Sequence, residues 1–533
     1  MLVDEADRWN FRRERSFDTI AGGAHASRIA KRGAASEVMI HRGEPQDGPA
    51  PQDDFEPGVD IQDWGYYNGN NHQCFAEHPL GPDPCNPDHG HDGFKKNWDD
   101  SNVDQCKQTE SCQPLGCYAF VERSDVQQYF DIATNYGFAN YFFQTNEGPS
   151  FDAHQFLFSG TSAPEGNAND NYPYYHEYFA AENPPKAFEN NTGCSSSDPG
   201  DADIVRGIDY TGQEYSNWYM PPGLTYSYPC YDHATLADLL DQSLPSPAWK
   251  YYAPEEGSIW TAPTAIRSLC GAVDSGPCPY FQPLGKYANN VSFESPGNTA
   301  PIFNDIATCQ LAPVSWVIPD MKWSDHPGAN DNQGLGPDYV ANLVNAIGNN
   351  SNCTNPGDGK SYWYSTAIFI TWDDWGGWYD HVNPANAPGL SVQLSCNNPG
   401  WGCGYTYGFR VPLLVVSAYT GIQNPDGTYK GYVSGNTQTQ GGEVFPYIHD
   451  FGSILAFIEN NFFGAGEIGQ INPQYPFADA RAPDGANGNI PLSDFFGLGT
   501  ARRFKSILTL NPQSYYTNNP AGPQGPGDGG SED

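Results

Sequence analysis

The sequence predicts an α/β sandwich, on three observations. Short apolar runs that read as buried strands alternate with helical patterns, the order that builds a sheet covered by helices. A chain of 533 residues can bury a core of that size, as one large domain with long insertions or as several smaller ones. The apolar run 367–370 ends on two adjacent acids, Asp373 and Asp374. Parallel α/β sheets place their ligands at that end of their strands.

The elements follow in chain order. Residues 1–60 are polar and irregular and offer no strand, and residues 61–117, rich in Cys, Asn, Gly and His, read as loops. Apolar residues at helical spacing predict a helix over 126–136, followed by a short strand at 139–143. Glu147-Gly-Pro-Ser-Phe-Asp reads as a turn opening a helix that runs to Phe158, with Pro149 marking its start. Residues 162–300 are dense in Asn, Gly, Pro and Tyr and read as an insertion or cap around a short helix at 234–244. Core signals resume with a strand at 314–318, a helix at 339–347, strands at 367–371 and 411–417, and a helix at 454–461. The Pro/Gly-rich stretch 512–533 reads as a flexible tail, which leaves 61–511 as the main domain.

Charge is lopsided, with 25 basic against 63 acidic residues and a formal net charge of −38. Such a surface repels nucleic acid and anionic membranes. No apolar run approaches the length of a transmembrane span, and nothing predicts a protein partner. Abundant Gly (58), Pro (46) and aromatics (14%) point to a loop-rich enzyme rather than a disordered acidic chain. Thirteen cysteines without a CxxC pair read as loop-stapling disulfides, the odd count leaving at least one free thiol or an intermolecular bridge, in a secreted or periplasmic protein. The pairing stays open. Met1-Leu-Val-Asp-Glu-Ala-Asp-Arg is charged and shows no signal peptide.

The chemistry centres on Thr371-Trp-Asp-Asp-Trp-Gly-Gly-Trp-Tyr-Asp-His-Val382. Two adjacent carboxylates repel unless a positive charge joins them, and a divalent metal is the economical answer. Against this stands the ordinary use of Asp in turns. Ser150 sits where a helix dipole favours an anion, so a neighbouring metal would make it a nucleophile; alone it reads as an ordinary helix cap. His154 lies one turn later on the same face. His326, in Ser324-Asp-His-Pro327, could meet a phosphoryl group or protonate a leaving group. Asp88-His-Gly-His91 offers His89 and His91, a weak signal alone. His72 and His449 are further candidates in poorer context.

Taken in order, these motifs resemble the bacterial phosphoesterase family that holds phosphatidylcholine-type phospholipases C and a related acid phosphatase. Further matches are Arg410-Val-Pro-Leu-Leu-Val-Val-Ser417, Gly452-Ser-Ile-Leu-Ala-Phe-Ile-Glu-Asn-Asn-Phe462 and Asp494-Phe-Phe496. The resemblance implies a three-layer α/β/α sandwich with a mostly parallel central sheet, similar to alkaline phosphatase. It implies Ser150 as nucleophile, Asp373 and Asp374 as metal ligands, and His326 and His381 at the phosphate or metal site. His89 and His91 align with another of its active-site histidines, which of the two being open, and with His154, placed by its helix spacing, they are the expected substrate contacts. The metal's identity stays open among Ca, Mn, Fe and Zn. One departure stands out. The family's Glu-Asn-Arg-Ser-Phe-Asp is met here by Arg13-Glu-Arg-Ser-Phe-Asp18, so Arg replaces a ligand and Glu14 alone could serve. The strand expected before it is missing, as for a truncated or altered start. The expected function is metal-dependent hydrolysis of phosphate esters or phospholipid head groups. The rival is a catalytically inactive secreted binding protein on the same scaffold.

Overall fold

An eight-stranded sheet organises the chain. Its strands are β1 (Leu2–Asp4), β2 (Gly137–Ala139), β3 (Trp249–Ala253), β4 (Val291–Phe293), β5 (Val314–Val317), β6 (Ala367–Thr371), β7 (Leu413–Ser417) and β8 (Tyr432–Ser434). They lie in the order β4-β3-β5-β1-β6-β7-β2-β8. The pairs β4/β3, β3/β5, β5/β1, β1/β6 and β2/β8 are parallel, while β7 runs antiparallel to both its neighbours. The expected mostly parallel α/β sheet is therefore present. The computed structural model describes residues 2–4, 66–68, 71–73, 89–90, 93–94, 123–162, 178–180, 193–195, 207–209, 214–215, 230–271, 277–295, 299–326, 335–355, 359–378, 380, 382, 407–436, 440, 447–464, 468 and 482–519.

β5 (Val-Ser-Trp-Val) and β7 (Leu-Leu-Val-Val-Ser) are buried along their whole length. Continuous apolar runs of this kind belong to strands covered on both faces. Helices α1 (Gln127–Asn135), α2 (Ser150–Ser159), α3 (Gly336–Gly348) and α4 (Phe451–Phe463) fall on the predicted segments. α2 is buried at every position and packs against α4. Its polar residues, Ser150, Asp152, His154, Gln155 and Ser159, are thus held inside the protein. α4 begins with a capping box, in which Asp450 and Ser453 exchange side-chain and backbone hydrogen bonds.

Three expectations are corrected. A strand does exist in the first sixty residues: β1 lies in the middle of the sheet, with Leu2 opposite Trp316 and Phe369, and Asp4 opposite Thr371. Three residues followed by charges carry no readable period. The stretch 162–300 is not all cap, since it supplies β3 and β4. Within β3, Lys250 breaks the apolar run, but its ammonium pairs with Asp305 and Tyr252 donates to the same carboxylate at 2.6 Å. The tail is ordered at its start, where Gln513–Asn518 is a helix. Tyr516 is buried there and donates to Asp338 Oδ2 at 2.8 Å.

Among the described residues, disulfides join Cys194–Cys230, Cys270–Cys278 and Cys309–Cys353. Cys270–Cys278 is a close staple of the kind expected, while the other two span 36 and 44 residues. The close cysteines at 74/85, 106/112/117 and 396/403 lie outside the described residues. No described helix is long and apolar enough to cross a membrane.

Candidate functional site

The carboxyl end of β6 delivers the twin acids. Trp372, Asp373 and Asp374 follow the strand directly and are buried. The chain then turns through Gly376 (φ 61°) and Gly377 (φ 77°), a left-handed conformation that glycine adopts without a Cβ clash. Asp374 Oδ1 accepts from the Gly376 amide at 2.7 Å, which fixes the carboxylate's orientation. Its other oxygen faces Ser150. Ser150 Oγ donates to Asp374 Oδ2 at 3.1 Å, joining residues 224 apart in sequence.

Ser150 is the first residue of α2, and the extended residue before it, Pro149, occupies the cap. Pro149 thus marks the helix start, as expected, and the alternative reading of Ser150 as an ordinary cap does not hold, because Ser150 is the first helical residue. A strand pair outside the main sheet leads into the turn, with Phe142–Phe143 parallel to His449–Asp450. The loop between Phe143 and Ser150 is knitted to itself. Gln144 Nε2 and Asn146 Nδ2 both donate to the Gly148 carbonyl, at 2.5 and 3.2 Å, and Asn146 also donates to Asp152 at 2.5 Å. Gly408 closes on the same loop, its amide donating to the Gln144 carbonyl at 2.9 Å.

A chain of contacts links three of the predicted histidines, His154, His326 and His89, to the segment of the acids. His154 Nε2 lies 3.4 Å from Asp373 Oδ2. Its Nδ1 lies 3.5 Å from the hydroxyl of Tyr251, which donates to the Trp260 carbonyl at 2.7 Å. The Trp260 ring packs 6.0 Å from His326, and His326 meets His89 edge to face at 5.4 Å. Trp375, the residue after Asp374, completes these contacts by donating from Nε1 to the His89 carbonyl at 3.1 Å. His89, His154 and His326 are all buried. Within the Ser324-Asp-His motif, Ser324 Oγ accepts from the His326 amide at 3.3 Å. Asp325 accepts from Tyr129 at 2.9 Å.

The structure thus brings together Ser150, His154, Asp373 and Asp374, with His89 and His326 alongside. His91, His381 and Glu14 lie outside the described residues. Residues that the sequence left unassigned complete the surroundings. Tyr251 and Trp260 bridge two of the histidines. Arg410 grips Asp380, the acid preceding His381, with Nε at 3.1 Å from Oδ2 and Nη2 at 3.0 Å from Oδ1. The signal available for Arg410 was a buried acid in need of a counter-charge.

Among the described residues, no group of three or more His, Cys, Asp or Glu side chains is gathered closely enough to hold a metal ion. The oxygen donors here are the buried carboxylates of the adjacent Asp373 and Asp374 and the Ser150 hydroxyl bonded to Asp374, donor types that suit a hard divalent cation.

Comparison with known proteins gives one family match: the model described as Phosphoesterase family covers residues 11–463. Non-hemolytic phospholipase C of Burkholderia pseudomallei (strain K96243) is 31% identical over 232 residues, 39% of this chain and 28% of that protein. Phospholipase C A of Mycobacterium tuberculosis (strain ATCC 25618 / H37Rv) is 31% identical over 183 residues, 32% of each. Non-hemolytic phospholipase C of Pseudomonas aeruginosa is 25% identical over 179 residues, 30% of this chain and 21% of that protein. The chain therefore spans about a third or less of the length of these relatives.

Proposed function

Because the chain belongs to the phosphoesterase family, we propose that it hydrolyses phosphate esters, with phospholipid head groups as the substrate class. The relatives' description as phospholipases C supports that class. The observation that carries the reading is the Ser150–Asp374 hydrogen bond of 3.1 Å, which places a hydroxyl on a buried carboxylate across 224 residues of chain. In this reading Ser150 Oγ attacks phosphorus, the P–O bond to the alcohol breaks, and a phosphoserine forms. Water then attacks phosphorus, releases phosphate or phosphorylated head group, and restores the hydroxyl. Asp374 Oδ2 holds the Ser150 proton, which turns the oxygen's lone pairs toward the substrate. His326 protonates the departing alkoxide, with His381 the alternative donor, and His89, His91 and His154 bind the phosphoryl oxygens.

Asp373 and Asp374 would hold a divalent cation, with Glu14 as a further ligand. When bound, it would supply positive charge that favours the serine alkoxide and the charge on the phosphoryl oxygens. The three-layer arrangement of alkaline phosphatases and an extracellular or periplasmic location belong to the same proposal. The sheet order and the disulfides support them.

The test is hydrolysis of p-nitrophenyl phosphate and p-nitrophenylphosphorylcholine by wild type and Ser150→Ala. Removing the hydroxyl should lower kcat by about three orders of magnitude or more. Faster turnover of the choline ester assigns the phospholipase C class. Near wild-type turnover by Ser150→Ala removes the nucleophile, and an inert wild type favours the binding-protein alternative.

A further inference from the structure

Ser434, His449 and Asp484 have the spacing of a hydrolytic triad, apart from Ser150 and its acids. Ser434 Oγ lies 2.7 Å from His449 Nε2, and His449 Nδ1 lies 2.6 Å from Asp484 Oδ2. The group is no second nucleophile. Ser434 and His449 are 0% exposed, and the Ser434 hydroxyl already donates to Asp494 Oδ2 at 2.5 Å.

A count of protons points to the state of the histidine. A serine hydroxyl carries one hydrogen. With that hydrogen on Asp494, Ser434 Oγ can only accept from His449, so Nε2 must carry a proton. Asp484 accepts from Ser453 Oγ at 2.7 Å and from the Leu492 amide at 2.7 Å, the surroundings of an ionised carboxylate. Its bond to Nδ1 then requires a proton there as well. On this count both ring nitrogens donate.

We infer that His449 is a buried imidazolium and a positioning residue: it ties segment 482–496 and β8 to the strand that runs beside the one leading to Ser150. The ties are specific. Asp484 and Asp494 belong to short helical turns, Pro483–Gly488 and Ser493–Phe496, and Ser434 ends β8. The His449 amide donates to the Tyr141 carbonyl at 2.8 Å, and His449–Asp450 pairs with Phe142–Phe143, from which the chain enters the loop to Ser150. The next residue, Asp450, caps α4, which packs on α2. The charged and titratable groups facing the ring are Asp484, Asp494 at 3.8 Å from Nε2, and Asp450; Tyr432 donates to Asp494 at 2.9 Å, and the Phe495 ring lies 5.6 Å away. Burial opposes the charge, but Asp484, Asp494 and Asp450 outweigh it, so the imidazole pKa is raised above its usual value. A raised histidine pKa contributes stability that is complete below the unfolded value, about 6.5, and is lost as pH rises through the folded one.

The role beside Ser150 rests on the proposed function; the charge does not, and neither measurement below needs turnover. Full-length protein with 15N-labelled histidine is observed by NMR at pH 7.5, with His449→Gln identifying the His449 signals. Two ring N–H groups on that imidazole are expected. One protonated and one unprotonated nitrogen would overturn the assignment. If His449→Gln does not fold, Ser434→Ala serves, because it moves only the Nε2 side of the same ring. Amide hydrogen exchange then reads the positioning. As pH rises through the His449 pKa, wild-type residues 141–150 should lose protection about tenfold relative to α3, on a scale of about 1.4 kcal/mol. In the glutamine variant, or in Ser434→Ala, that pH dependence should be absent or weakened. Equal pH dependence in wild type and variant sinks the positioning role.

Discussion

Replacing Arg410 with methionine removes the guanidinium that grips Asp380 and leaves the rest of the segment in place. Asp380 is 0% exposed and Arg410 2%. Among the described residues the carboxylate accepts from the Val382 amide at 3.1 Å, the Arg410 amide at 3.2 Å, Arg410 Nε at 3.1 Å and Arg410 Nη2 at 3.0 Å. Arg410→Met deletes the last two and, with them, the guanidinium charge paired with Asp380. It also strips the Asn140 carbonyl of its 3.0 Å donor, Nη1. Breaking one side of a buried ion pair costs about 3–5 kcal/mol, because the remaining charge is uncompensated. The two surviving amide bonds put this case near the lower end, at about 3 kcal/mol. Asp380→Asn strands the cation instead, so the double variant should lose less than the sum of the singles, with a coupling of about 2 kcal/mol. Urea unfolding followed by tryptophan fluorescence is the assay, helped by buried Trp372, Trp375 and Trp378 in the same segment. The loss should reach catalysis too, because Asp380 ends the turn that begins at the twin acids. A stability loss under about 0.5 kcal/mol for Arg410→Met, the range of an ordinary surface change, would refute the reasoning.

Two further outcomes follow from local geometry. A Cβ added at Gly408 would stand 2.2 Å from the Asn146 carbonyl oxygen and 2.9 Å from Gln144 Oε1, so Gly408→Ala must push the loop that presents Ser150. We expect a destabilisation of about 2 kcal/mol and a fall in kcat, whereas Gly499→Ala, with nothing within 4 Å, should match wild type in thermal unfolding and turnover. Glu294 is pushed up to about 10 by burial and by its neighbour Asp320, against an ordinary 4.5. A raised carboxyl pKa means that the folded state binds the proton more tightly, so its contribution is full below 4.5 and is lost as pH rises toward 10. Glu294→Gln should therefore equal wild type at about pH 4 and become increasingly the more stable as pH rises to about 9; a gap that stays flat or reverses rejects the shift.

The parts of the fold legible in the sequence are those where apolar side chains are continuous. β5, β6 and β7 bury nearly every residue, so their runs stand out without any alternation. β1 has only three residues, and β3 interrupts its run with Lys250, whose charge is answered by Asp305, a partner 55 residues away. Distance in sequence hid such pairings. In the site, Ser150 and Asp374 were legible because ordered motifs flank each of them. Tyr251 and Trp260 were not: among 33 tyrosines and 13 tryptophans no single ring carries a mark until the sheet places it beside a histidine.

The acidic balance also changes meaning once the structure is seen. Read from composition, −38 is a repulsive surface. Yet ten aspartates among the described residues are buried, and several anchor chain segments that are remote in sequence. Asp338 takes the Asn511 amide and the Tyr516 hydroxyl and so pins the C-terminal stretch to α3. Asp325 takes Tyr129 of α1, Asp380 takes Arg410, and Asp484 takes His449 and Ser453. A carboxylate suits this work because it accepts several donors at once, which lets one side chain satisfy amides and hydroxyls from loops that share no ladder. Asp325, Asp338, Asp380 and Asp484 therefore act as internal fastening in this loop-rich chain, each holding segments that no strand ladder joins.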